Sequence, residues 1–211
     1  ECSKTSGYGD NVTTTTWTQY AVDDSTLTRL EPDENGKYHF TAPDDHYVVM
    51  EVYEHSTGAT IKYSTYNNLD TGYTGYCLDM YNTAGVEEFI RYFEEHVMDD
   101  EITQLLKEVG GNFFEDNFSY SAKNIWTSSL VDTFNQNCGY DMMDVLPYTL
   151  GIPSNGHSSE RNSTGIDLES TAPFVIANDA EYKYNRIRAD MIDSWASCYL
   201  NQHIATIKEW A

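Results

Sequence analysis

The sequence is poor in positive charge. Twelve Lys and Arg stand against 34 Asp and Glu in 211 residues, for a net charge of −22. So negative a chain repels polyanions, which argues against nucleic acid and anionic membrane surfaces as partners, the plainer reading of the charge being solubility. It suits a neutral or cationic partner instead. No apolar run approaches the roughly 18 residues that a bilayer crossing requires, so membrane insertion is not expected. Glu1-Cys2-Ser3-Lys4 carries no apolar h-region, and the chain reads as a mature or excised segment. The four cysteines, Cys2, Cys77, Cys138 and Cys198, lie far apart without a CxxC, which argues against zinc. They leave three pairings open. Free buried thiols are the other reading, and suit Cys77 in an apolar run and Cys198 in a helical stretch. The six histidines form no HxH or HExxH pattern. There is no P-loop and no GxSxG elbow.

What is present points to a folded protein. Hydrophobic residues make up 40% and aromatics 14%, enough for a real core. Seventeen tyrosines, many Thr and Asn and few Lys resemble an extracellular surface, so a secreted or cell-surface location is expected. Asn11-Val-Thr13, Asn117-Phe-Ser119 and Asn162-Ser-Thr164 are glycosylation acceptors if the source glycosylates.

Residues 1–44 are polar and Thr-rich and read as a β-type segment, with short strands near 13–20 and 37–41 and a turn at Pro32-Asp33-Glu34-Asn35-Gly36. Residues 45–211 read as a second unit. His46–Tyr53 is β-branched and aromatic and predicts a strand covered on both faces; Gly75–Met80 predicts a shorter one. Val86, Phe89, Ile90, Phe93 and Val97 recur at helical spacing, with Thr83 as a cap and Gly85 weakening the first turn. Ile102, Leu105, Leu106 and Val109 mark a second helix that stops at Gly110-Gly111. Asn112-Phe113-Phe114 predicts a third strand. Helices follow at 127–137 and 141–150, then a polar loop at 153–172. A long helix closes the chain, with Ile187, Met191, Trp195, Cys198, Ile204 and Ile207 as its stripe. Alternating strands and helices predict an α/β fold with a parallel sheet. Three strands cannot close a barrel, and Glu209-Trp210-Ala211 carries no stop signal. The expectation is therefore a piece of a larger fold, with the missing remainder of the chain as a partner.

In parallel β/α folds the strand ends carry the chemistry. Here they offer Glu51 with Glu54-His55, then Asp79, then Glu115-Asp116-Asn117. Three acid-bearing ends facing one mouth suit paired-carboxyl glycosidase chemistry. No motif requires a cofactor; calcium, held by oxygen ligands, is the one such acids would suit. Tyr53, Tyr81, Phe118, Tyr120 and Trp126 lie where rings would stack on sugars. The competing reading is that these acids cap helices or bind loop backbone, and that the rings are core.

Two stretches carry a resemblance. "GYCLDMYNTAGVEEFIRYFEEHV" is a strand ending in Asp ahead of a helix. "NFFEDNFSYSAKNIWTSSLVDTFNQNCGYDMMDVLPYTLG" runs from an apolar strand into acids, then Trp-Thr, a helix ending in Gly-Tyr-Asp, and Leu-Pro with a Gly after it. With the closing "YNRIRADMIDSWASCYLNQHIATIKEWA", residues 75–211 resemble α-L-rhamnosidase-like glycoside hydrolases (glycoside hydrolase family 106 and relatives). The resemblance implies the first part of a (β/α)8 TIM-type barrel and cleavage of a glycosidic bond in a plant or microbial oligosaccharide or polysaccharide. It also implies that a second catalytic carboxylate follows Ala211. The resemblance puts its acidic motif on Asp116-Asn117-Phe118-Ser119, and the neighbouring Glu115 could take over the acid role only if the strand has already ended. The catalytic candidates are thus Asp116, Glu115 and Ser119, and the strand ends and nearby rings add Glu51, Asp79, Asn117, Tyr120 and Trp126 as substrate-binding candidates. One position departs from the pattern: Ser119 stands where the resemblance leads one to expect Glu. A hydroxyl cannot serve as general acid near neutral pH, so the alternative is a non-catalytic carbohydrate-binding module or pseudoenzyme. If the departure silences an ancestral enzyme, Ser119→Glu raises turnover of an aryl rhamnoside by about 10²–10⁴-fold. An unchanged rate in the folded variant refutes that descent.

Overall fold

Threonine's branched side chain suits a pleated strand. The Thr-rich start of the chain forms an antiparallel hairpin, β1 (Cys2–Tyr8) on β2 (Asn11–Trp17), pairing Cys2 with Trp17 and Tyr8 with Asn11. The computed structural model describes residues 2–8, 11–56, 78–115, 126–151 and 173–211. The turn expected at 32–36 forms around the Asp33 carboxylate, whose Oδ1 accepts from the backbone N–H of Asn35 (2.8 Å) and Lys37 (2.9 Å). Gly36 takes a left-handed φ of 74° there.

β3 (Tyr20–Val22) leaves the hairpin. Among the described residues come α1 (Thr83–His96), α2 (Asp100–Val109), α3 (Leu130–Cys138) and the short α4 (Leu146–Thr149). β4 (Phe174–Ile176) then pairs in parallel with β3, Tyr20 opposite Phe174 and Val22 opposite Ile176. The N-terminal segment is thereby tied to the second unit. Tyr20 stacks on Phe174, and Lys183 meets Asp24 at 2.5 Å. The chain ends in α5 (Lys183–Cys198), a π-helical segment (Tyr199–Ile204) and α6 (Ala205–Trp210).

The apolar stripes locate two cores. Ile187, Met191, Trp195 and Cys198 of α5 pack against Leu130 and Phe134 of α3, Met142, and Leu146 and Tyr148 of α4. Val86 and Ile90 of α1 pack with Ile207 of α6. Arg188 sits fully buried in the first region. Its Nη1 donates to the carbonyls of Tyr148 (3.2 Å) and Leu150 (2.8 Å), and its Nη2 to that of Gly151 (3.3 Å). The first is in the last turn of α4 and the other two lie just past it, at the end of the helix where a cation is favoured.

Several expected strands take another form. Residues 46–53 are irregular and mostly exposed, with Val48 and Tyr53 at 63% and 73%. Residues 37–41 and 112–114 are likewise irregular. β-branched and aromatic composition makes a strand only where a neighbour supplies the ladder, and no strand lies beside these segments among the described residues. Leu78 and Asp79 are irregular too, and residues 75–77 lie outside the described residues. The described residues hold one parallel pair, β3–β4, beside helices, and no succession of barrel strands is seen among them.

The helix expectations need smaller adjustment. The N-cap of α1 is Asn82, whose side chain accepts from Ala84 N–H, rather than Thr83. Gly85 has a positive reason to be there. A Cβ at this position would lie 2.0 Å from the Asp79 carbonyl oxygen and 2.8 Å from its carbon, so only glycine lets the preceding turn fold back onto the helix. In a free helix Gly→Ala stabilises by roughly 0.5–1 kcal/mol. Here Gly85→Ala is expected to destabilise by about 1–3 kcal/mol or more, because backbone must move. Urea unfolding of the variant checks the sign; a gain in stability refutes the close approach.

Candidate functional site

The C-terminal stripe contains a misfit. Cys198 and Ile204 are six residues apart, a spacing that places no two residues on one α-helical face. The structure resolves it with the π segment, where the N–H of Ala205 bonds the carbonyl of Leu200. The inward face passes from Cys198 to His203 to Ile207, which are 1%, 0% and 5% exposed, and Ile204 turns outward at 37%. Widening a turn disturbs the carbonyl ladder; the Thr206 hydroxyl donates to the Gln202 carbonyl at 2.6 Å.

Three side chains of the widened turn reach separate segments. The Tyr199 hydroxyl donates to Glu115 Oε1 at 2.7 Å, and His203 Nε2 lies 2.5 Å from Glu115 Oε2. Gln202 Nε2 donates to Ser129 Oγ (2.5 Å), before α3, while its Oε1 accepts from Thr83 N–H (3.3 Å), at the start of α1. Beside these, Asn82 Nδ2 donates to Ser128 Oγ (2.6 Å). The Tyr199 ring stacks on His203, with centroids 5.0 Å apart, and Tyr81 leans on Tyr199 at 6.4 Å. The Glu115 side chain is 20% exposed and that of His203 is wholly enclosed.

The arrangement specifies a chemical role. A carboxylate with a phenol donating to one oxygen and an imidazole on the other is presented as an acceptor. Burial, and then the bond to Glu115, pushes the Tyr199 phenol up to about 12, so it keeps its proton and remains a donor. Tyr199 thus donates to one oxygen of Glu115 while the His203 imidazole faces the other.

The expected site residues distribute unevenly. Glu115 lies in this cluster. Asp116, Asn117, Ser119 and Tyr120 lie outside the described residues. Asp79 Oδ1 accepts from Tyr81 N–H (3.0 Å), an acid that shapes a turn. Glu51 accepts the exposed Tyr53 hydroxyl. Trp126 is half-buried against the main core. Cys138 and Cys198 are free thiols. Asp44, Asp45 and His46 bring three ligand atoms within 4.8 Å of one another, all on exposed side chains. Calcium takes six to eight oxygen ligands, and two carboxylates with an imidazole do not approach that set.

No protein-family model, no curated protein and no solved structure matches this chain. The likeness of residues 75–211 to rhamnosidase-like hydrolases therefore rests on their sequence motifs. Among the described residues, no helix is long and apolar enough to cross a membrane. Motif scanning misses Tyr199, Gln202 and His203, because none belongs to a known spacing. The six-residue gap in the stripe was the signal.

The clamp has a pH consequence. A phenol raised in the folded state contributes stability that is fully present below its ordinary value near 10 and is lost as pH rises through the folded value. Tyr199→Phe is therefore expected to reduce the fall in urea stability between pH 10 and about 12. An identical slope in variant and parent refutes the phenol–carboxylate bond.

Proposed function

We propose that this protein is a glycoside-hydrolase-type domain acting on a neutral plant or microbial oligosaccharide or polysaccharide, with α-L-rhamnosidase-like chemistry and Glu115 as the acceptor carboxylate. The observation that carries it is the seating of Glu115, one-fifth exposed between the Tyr199 hydroxyl and the His203 imidazole. The motif order of residues 75–211 supports the substrate class, and the partial barrel it implies is part of the proposal. The net charge of −22 is compatible with an uncharged glycan and unfavourable for a polyanionic one.

Glycosidic cleavage by two carboxyls needs one to protonate the leaving oxygen and the other to activate water or attack the anomeric carbon. Glu115 takes the second role. Asp116 is the adjacent acid for the first. Neighbouring residues on a strand face opposite ways, which would separate the two. Residues 111–115 are irregular, so no strand runs up to Glu115, and Asp116 lies outside the described residues. Tyr199 and His203 orient the carboxylate, and Tyr81 adds an aromatic wall of the kind that stacks on sugar rings.

A second reading is favoured by Ser119, which removes the proton donor the resemblance implies. It keeps glycan binding and loses hydrolysis. One comparison separates the two. The full chain is assayed for turnover of aryl rhamnosides and pectic side-chain oligosaccharides, alongside calorimetric binding of the same oligosaccharides. Turnover that falls about 10²–10⁴-fold in Glu115→Gln, with folding retained, supports the enzyme. Saturable binding without turnover assigns the binding module. Neither binding nor turnover, or turnover indifferent to Glu115→Gln, overturns the proposed role of Glu115.

A further inference from the structure

Helix α2 is stable in its termini and unsatisfied in its face. The Asp99 side chain caps it by accepting from Ile102 N–H at 2.7 Å, Asp100 and Glu101 lie in its first turn, Lys107 lies in its last, and Gly110 ends it at φ 76°. Yet it buries no residue. Ile102, Leu105, Leu106 and Val109 lie on one face and are 37%, 49%, 42% and 77% exposed. Beyond Gly111 the apolar surface continues into Phe113 and Phe114, and Phe113 meets Phe89 of α1 edge-on. Isolated helices shorter than about 12–15 residues are marginal in water, so a ten-residue helix with a bare apolar face gains most from a partner.

The rim identifies the kind of partner. Asp99, Glu101 and Glu108 flank the face at α-helical spacing. A second copy would set this rim against itself in a chain of net charge −22. An anionic membrane is repelled for the same reason. We propose that the α2 face docks a cationic amphipathic peptide segment of another protein, with leucine-type anchors at helical spacing and Lys or Arg flanking them. The apolar anchors supply affinity, and the charged flanks supply orientation and discrimination.

The test uses the full chain and two synthetic helical peptides with the same apolar face, one flanked by Lys and one by Glu, in titration calorimetry. The Lys-flanked peptide is expected to bind saturably and to weaken as salt is raised. Leu105→Gln with Leu106→Gln is expected to weaken it about tenfold or more. Both leucines are substantially exposed, so the circular dichroism spectrum should remain unchanged. Equal binding of both peptides, no binding, or binding indifferent to the two leucines overturns the proposal. So does sedimentation showing a dimer of the parent chain that the double variant abolishes, which assigns the face to a second copy. Pelleting with phosphatidylcholine vesicles in a leucine-dependent manner overturns it in favour of a lipid surface.

Discussion

An imidazole carried wholly out of water needs a polar partner, and His203 finds Glu115. The requirement reaches well beyond one bond. To turn His203 inward, the C-terminal helix must widen by one residue, because a regular α register from Cys198 would not bring position 203 to the buried face. The same widening aims Tyr199 at Glu115 and Gln202 at Ser129 and Thr83 N–H. One local departure from α geometry thus joins the segment before residue 116, the start of α1 and the approach to α3. Each contact spans a long sequence separation, so its closure entropy is offset only when all are made together. Removing one partner leaves a buried polar group unpaired, which costs more than the bond itself contributes.

The other end of the same helix solves a related problem. Arg188 is a cation without access to solvent, held by three carbonyls at the end of α4 and standing 5.3 Å over the Tyr184 ring. It follows Ile187 directly and lies three residues before Met191, and like them it is buried. Tyr140 adds a third anchor by donating to Asp190 at 2.7 Å; burial and that carboxylate push its phenol upward. The long helix is therefore a spine with polar fixings at both ends and apolar contacts between. The Glu115 cluster inherits its rigidity from that spine rather than from a sheet.

Helices were legible in the sequence because their evidence is local. Val86 with Ile90, Leu130 with Phe134, and Ile187 with Met191 each report a face by spacing alone and are buried, whereas the equally periodic Ile102, Leu105, Leu106 and Val109 are exposed. Caps were legible to within one residue, since Asn82 and Thr83 are both good caps and only geometry separates them. Strands were less so, because a strand is a relation between two segments; of those expected, the one near 13–20 overlaps β2. His46–Tyr53 has the composition and no ladder among the described residues, while three residues at Tyr20–Val22 form one with Phe174–Ile176 across the length of the chain. The candidate site was half legible. Glu115 stood out as an acid after an apolar run, although that run is irregular and Phe114 is 83% exposed. Its partners lay in a helix whose periodicity had to fail before they could face it.

The excess of acid raises the question of why one carboxylate should be singled out. Many of the described acids serve backbone close by: Asp23, Asp33, Asp79, Asp99, Asp141 and Asp179 each accept from N–H groups a few residues on, forming caps and turns. Others pair along a helix, as Glu88 and Glu95 do with Arg91, where exposure leaves little net stabilisation. Glu115 does neither. Both of its oxygens are held by side chains more than eighty residues away, it remains partly open to solvent, and neither partner is a permanent cation that would neutralise it. A cap needs no such enclosure, and a surface pair would not survive it. Among the described acids, partial enclosure with both oxygens held by side chains from a distant helix is what sets Glu115 apart.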